Sequence, residues 1–254
     1  MIVTGRWKDR PVTISIKPNC LTVSLDDPAQ AEVYSYDLEG RLWTAYMNGL
    51  AYRRGLDGKI IARWRLPGQE RERRWLTADE ALAVEARAYR GIESLREAIG
   101  SGAARMNGVM PPAVEETITA VLAFDRERSL ADVARYHSVY KPVGILPPDQ
   151  YMAVVLQATE GCSFNTCTFC SFYKDRPFRI KSPDEFGAHA EAVRSFLGRG
   201  LSLRRTIFVG DANAVVVPTP RLLQLLDIVH EVYDVEQLGG IYAFLDGFSG
   251  EKKS

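Results

Sequence analysis

The period of the apolar positions changes along the chain. In the N-terminal part short runs alternate apolar and polar side chains: Val12-Thr13-Ile14-Ser15-Ile16, Leu21-Thr22-Val23-Ser24-Leu25 and Glu32-Val33-Tyr34-Ser35-Tyr36. Three more follow, Leu42-Trp43-Thr44-Ala45-Tyr46-Met47, Leu50-Ala51-Tyr52-Arg53-Arg54 and Lys59-Ile60-Ile61-Ala62-Arg63-Trp64. A period of two carried by β-branched and aromatic residues predicts strands. Pro18-Asn19 and Asp26-Asp27-Pro28 separate the first runs. Glu39-Gly40, Asn48-Gly49 and Asp57-Gly58 then supply the positive-φ residues that tight hairpins favour, so the pattern is a β-meander. Trp7, Trp43, Trp64 and Trp75 fall on strand positions and are expected in the core in preference to a binding platform, and the domain they belong to reads as an accessory, substrate-recognition module.

From Thr77 the period becomes helical. Thr77-Ala78-Asp79-Glu80 reads as a capping box, the run to Ile99 is rich in Ala, Glu, Leu and Arg, and Gly100-Ser101-Gly102 stops it. Further helices are expected from Pro112 to Phe124 and from Ser129 to His137. Pro142, Pro147 and Pro148 then exclude a helix or a central strand, which places a domain boundary there: 1–145 and 146–254. Beyond it strands and helices alternate. Met152-Ala153-Val154-Val155-Leu156 reads as a buried strand, followed by a loop to Lys181. Ser182-Pro183-Asp184-Glu185 is a second capping box, and Phe186, His189, Val193, Phe196 and Leu197 share one helical face. Thr206-Ile207-Phe208-Val209, a helix from Thr219 carrying Leu222, Leu226 and Val229, and a strand over 240–245 complete a β-α-β-α-β order. That order predicts parallel strands with right-handed crossovers. The expected fold is α/β at the C-terminal side, preceded by an α+β domain of meander and helices.

Composition narrows the class. With 46% hydrophobic and 25% charged residues, and 32 Lys+Arg against 32 Asp+Glu, the chain is not intrinsically disordered. Four cysteines do not make a disulfide-dense scaffold. A net charge of zero does not indicate nucleic acid as the main partner. No apolar run reaches the roughly 18 residues of a membrane span. Arg6, Lys8, Asp9 and Arg10 interrupt any signal-peptide core, so the cytoplasm, with reduced thiols, is the expected compartment.

Cys162, Cys167 and Cys170 crowd into one polar loop. Cysteines serving as small hydrophobes scatter through a core, and an odd number in a reducing compartment does not pair, which leaves metal binding. Zinc would want a closed set of four, and His189 and Cys20 are poorly spaced for the fourth place. An iron–sulfur cubane held by three thiolates suits the spacing better and leaves one iron open to an external ligand. The loop follows a strand of a parallel unit, where barrel enzymes place their reaction centres. His137 and His230, on helical patterns, read as packing or surface residues.

This segment resembles the radical S-adenosylmethionine (radical SAM) superfamily, in which three cysteines after the first barrel strand hold a [4Fe-4S] cluster and an aromatic residue, here Phe169, precedes the third. The resemblance implies that S-adenosylmethionine chelates the open iron and that a reduced cluster cleaves it to a 5′-deoxyadenosyl radical. A flavodoxin or ferredoxin would donate the electron, and the substrate is unassigned. Four residues separate Cys162 from Cys167 where the family usually has three. Gly210-Asp211-Ala212-Asn213 stands where the family has a Gly-Gly-Glu-type turn, which implies that Gly210 and Asp211 receive the methionine ammonium. The wider string, Ala158-Thr159-Glu160-Gly161-Cys162 through Phe172-Tyr173-Lys174 with Phe178-Arg179, looks like the broad Elp3-like subgroup. Phe172 and Tyr173 would shape the adenine pocket or simply pack beneath the loop. Lys174, Arg176, Arg179 and Lys181 form a basic stretch, either a solvated face or an aid to a carboxylate or phosphate. The implied fold is a partial radical SAM (β/α) barrel, apparently truncated after its third strand. It lacks the strands for ribose, adenine and most of the substrate pocket, so cluster binding without full turnover is expected. A non-catalytic iron–sulfur or zinc module is the other reading.

Overall fold

The computed structural model describes residues 1–245. It divides the chain into two compact units, Met1–Ala134 and Arg135–Ser254. In the first unit the strands are β1 (Ile2–Trp7), β2 (Arg10–Lys17), β3 (Cys20–Leu25), β4 (Glu32–Asp37), β5 (Leu42–Met47), β6 (Leu50–Arg54), β7 (Ile60–Arg65), β8 (Arg71–Trp75) and β9 (Arg105–Met106). They form one antiparallel sheet in the order β8-β7-β6-β5-β4-β3-β2-β1-β9. This is the expected meander, extended by one strand at each end and by β9 beside β1. Its hairpins turn where the sequence placed them: Asn48 and Gly49 have φ of 55° and 73°.

Register sets the two faces of the sheet. Val3, Ile14, Val23, Tyr34 and Ala45 succeed one another across paired strands and are all buried. Helix α1 (Ala78–Gly100) supplies Ala88, Ile92 and Leu95 to the same core from one face, and its capping box on Thr77 and Glu80 is formed. Full burial of side chains such as Ile92 and Leu95 contributes about 1.5–3 kcal/mol each. Gly91 lets the helix lie close, since a Cβ there would stand 3.1 Å from the Tyr34 ring. Helices α2 (Pro112–Leu122) and α3 (Arg126–Val139) follow.

The second unit holds β10 (Ala153–Gln157), β11 (Thr159–Glu160), β12 (Arg179–Ile180), α4 (Pro183–Leu197), β13 (Thr206–Gly210), α5 (Thr219–Val232) and β14 (Ile241–Ala243). Strands β10, β13 and β14 are parallel neighbours in that order, with Ala153 opposite Thr206 and Ile207 opposite Ile241. The molecule is thus mixed α/β. Among the described residues the parallel strands form an open sheet with no closed barrel.

Three features depart from the sequence reading. The units divide at Ala134/Arg135, inside α3, instead of at 145/146. Arg135 bonds to Ser195 and Tyr136 packs on Phe196, so the end of α3 belongs with α4. The 160–181 segment is not all loop, because β11 and β12 pair within it. Trp75 is 63% exposed and lies outside the core, since the outward face of β8 meets solvent.

Candidate metal centre

The centre is built at the C-terminal end of β10. After Gln157 the chain turns through β11, makes the loop 161–178 and returns as β12, with Thr159 opposite Ile180 and Glu160 opposite Arg179. Arg179 closes this base with two bonds of 2.9 Å to Glu160 and one of 2.8 Å to Glu185. Gly161 enters the loop at φ 74°, where a Cβ would stand 2.9 Å from the Pro177 carbonyl oxygen. Only glycine suits that left-handed, crowded position.

The loop carries Cys162, Cys167 and Cys170, all half-buried and all free thiols. Asn165, at φ 40°, turns the chain between the first two, with its amide 3.5 Å from Cys162 Sγ and its side chain donating to Tyr173 O at 3.1 Å. Lys174 Nζ donates to the Asn165 carbonyl. Tyr173 is buried, yet its hydroxyl has no hydrogen-bond partner among the described residues. Burial first, then the Asp211 carboxylate, hold this phenol above its ordinary range. Phe169 is 90% exposed beside Cys170.

Among the described residues no three His, Cys, Asp or Glu side chains converge so as to hold a metal ion. His189 does not serve as a fourth ligand: its Nε2 accepts from the Gln157 amide at 3.0 Å, and burial pushes it down to about 3. Cys20 is buried in β3 of the first unit. Three free thiols in one loop are a donor set of the kind that suits a thiophilic metal centre.

The next parallel strand reaches this loop. Asp211, one residue past β13, is 4% exposed, and the Gly210–Asp211 peptide is cis. Its amide donates to Thr159 Oγ1 at 3.0 Å. Its carboxylate accepts from Gly161 N at 3.3 Å, from Arg176 Nη2 and Nε at 2.8 and 3.2 Å, and from Gln157 Nε2 at 3.4 Å. Burial raises the Asp211 carboxyl above its ordinary value and Arg176 opposes that rise. Arg176 also donates to Pro142 O at 2.6 Å and stacks 5.3 Å from the Tyr173 ring.

The chain matches no protein-family model, no curated protein and no solved structure. The site therefore rests on its own geometry. Cys162, Cys167 and Cys170 share one loop whose entry, Gly161, bonds to Asp211, while Phe169 stands in solvent. The Asp211 charge, expected to await an ammonium, is satisfied by Arg176. Gly210 meets nothing closer than 3.8 Å from its would-be Cβ, so no protein atom demands glycine there. The expected basic stretch is mostly neutralised: Arg176 and Arg179 are ion-paired, and Lys181 is buried, its ammonium pushed down to about 8. The sequence reading assigned no role to Gly161, Gln157 or Thr159. A glycine directly before Cys162 was the available signal.

Proposed function

We propose that the second unit belongs to a radical SAM enzyme, with Cys162, Cys167 and Cys170 holding a [4Fe-4S] cluster and S-adenosylmethionine as the external ligand. The observation that carries this reading is the hydrogen-bonded link from Asp211, after β13, to Gly161 at the root of the three-thiol loop after β10. It brings the C-terminal ends of two adjacent parallel strands to one point, where barrel-type sheets assemble reaction centres. When bound and reduced, the cluster would supply one-electron cleavage of the sulfonium to a 5′-deoxyadenosyl radical.

The chain's own residues prepare that chemistry. Arg176 and Asp211 form a buried ion pair, with side chains 9% and 2% exposed, that pins the returning limb of the loop to its entry. Phe169 is the apolar group available to shield the exposed side of the centre. An electron donor of the flavodoxin or ferredoxin class and a reducing compartment, the cytoplasm, go with this reading. The engagement of Asp211 by Arg176 favours a second reading, a non-catalytic iron–sulfur or zinc module.

Iron and acid-labile sulfide analysis after anaerobic reconstitution, followed by equilibrium dialysis against labelled S-adenosylmethionine, separates the two. A radical SAM centre retains both the cluster and the label, and Cys170→Ala loses both. A loaded protein that retains no label is the module.

A further inference from the structure

The hairpin of β7 and β8 carries an arrangement that neither the core nor the metal centre uses. Its register sets Arg63 directly opposite Arg73 and Arg65 directly opposite Arg71. All four are exposed; Arg63 and Arg65 lie on the face of β7 opposite to buried Ile60 and Ala62, and their partners Arg73 and Arg71 share that face of β8, whose residues are all exposed. Among the described residues none of the four forms an ion pair. Arg65 bonds only to the Gln69 carbonyl, at 3.2 Å. The nearby Arg74, on the other face, shows the contrast, because Glu80 clamps it with two bonds of 2.7 Å. Trp75, opposite Ile61, continues the arginine face and is 63% exposed.

Like charges directly opposite across a ladder repel one another. In a chain with as many carboxylates as cations, counter-charges were available, yet none meets these four. Charged residues on an edge strand do blunt edge-to-edge pairing. That explains arginines on β8, which ends the sheet, but not their matched partners on β7, which is paired on both sides. A two-by-two array with roughly 5 Å between strands and about 6.7 Å along them spaces four guanidinium groups for a run of anions. An exposed indole on the same face adds a stacking surface for a planar ring.

We infer that the outer face of the β7–β8 hairpin binds single-stranded nucleic acid, with Arg63, Arg65, Arg71 and Arg73 on successive phosphates and Trp75 stacked on a base. Guanidinium pairs that repel each other in the free protein are relieved by a polyanion, and the aromatic–cation combination is what single-strand binders use. The inference is independent of the metal centre.

The test is fluorescence anisotropy of the full chain with labelled oligonucleotides of about 12 nucleotides, in RNA and DNA arms. A salt series from about 50 to 200 mM should give a log–log slope near −3 for four phosphate contacts. The double variant Arg71→Glu/Arg73→Glu turns both like-charge pairs into opposite-charge pairs. It should keep or raise the melting temperature while weakening binding more than about tenfold and flattening the slope. Trp75→Ala should weaken binding about tenfold without changing the slope. Tighter binding of one arm identifies the sugar preferred. No binding, binding unchanged in the double variant, or equal affinity for a heparin oligosaccharide with no effect of Trp75→Ala overturns the inference.

Discussion

Burial sets the protonation of His189. The ring is 8% exposed, accepts from the Gln157 amide and is held neutral, its value pushed from 6.5 down to about 3 mainly by desolvation. The unfolded chain takes up a proton on this histidine below about pH 6.5, and the folded chain does not. Its contribution to stability is therefore fully present above pH 6.5 and lost as pH falls toward 3, at up to about 1.4 kcal/mol per pH unit. His189→Gln, which keeps an acceptor for Gln157, should flatten the acid side of a urea-unfolding series by close to one proton. Equal slopes for the two proteins would contradict this. The residue's place on one face of α4 was legible from its spacing with Phe186, Val193 and Phe196. Its bond to the end of β10 was not, because that contact joins positions 32 apart in sequence.

Elements are tied by buried charge as well as by apolar packing. Arg41, beside the start of β5, donates to Asp132 in α3 at 2.7 and 2.8 Å and to Asp37 in β4 at 3.3 Å. The three side chains are between 3% and 8% exposed. Asp132→Ala leaves the guanidinium desolvated with one of its two carboxylates, and should cost on the order of 3 kcal/mol in urea unfolding. A loss below about 0.5 kcal/mol, the size expected of an exposed pair, would refute the tie. At this scale the sequence was informative where pattern and turn residues agreed. The strands from β2 to β7, both capping boxes and the parallel order of β10, β13 and β14 were all readable. β8 was not, because Arg-Glu-Arg-Arg-Trp has no apolar alternation and becomes a strand through its ladder with β7. β9, of two residues, exists only through β1.

At the scale of the molecule the chain comprises an antiparallel-sheet unit and a smaller parallel α/β unit with a three-thiol loop. No helix among the described residues is long and apolar enough to cross a membrane. The cysteines were legible because thiols rarely crowd a polar loop. The ion pair that braces the loop was half legible: Asp211 stood out after its strand, whereas Arg176 looked like one cation of a basic stretch. Only the fold brings them together across 35 positions. The second unit's parallel order is β10-β13-β14, and residues 246–254 lie outside those described.

The central claim is that Cys162, Cys167 and Cys170 hold a cluster open to S-adenosylmethionine. Electron paramagnetic resonance of the anaerobically reconstituted, dithionite-reduced chain, recorded with and without S-adenosylmethionine, tests it most directly. The account predicts a [4Fe-4S] signal that shifts on adding S-adenosylmethionine and is absent from Cys167→Ala. A signal indifferent to S-adenosylmethionine, or a protein that takes up zinc and no cluster, would contradict it.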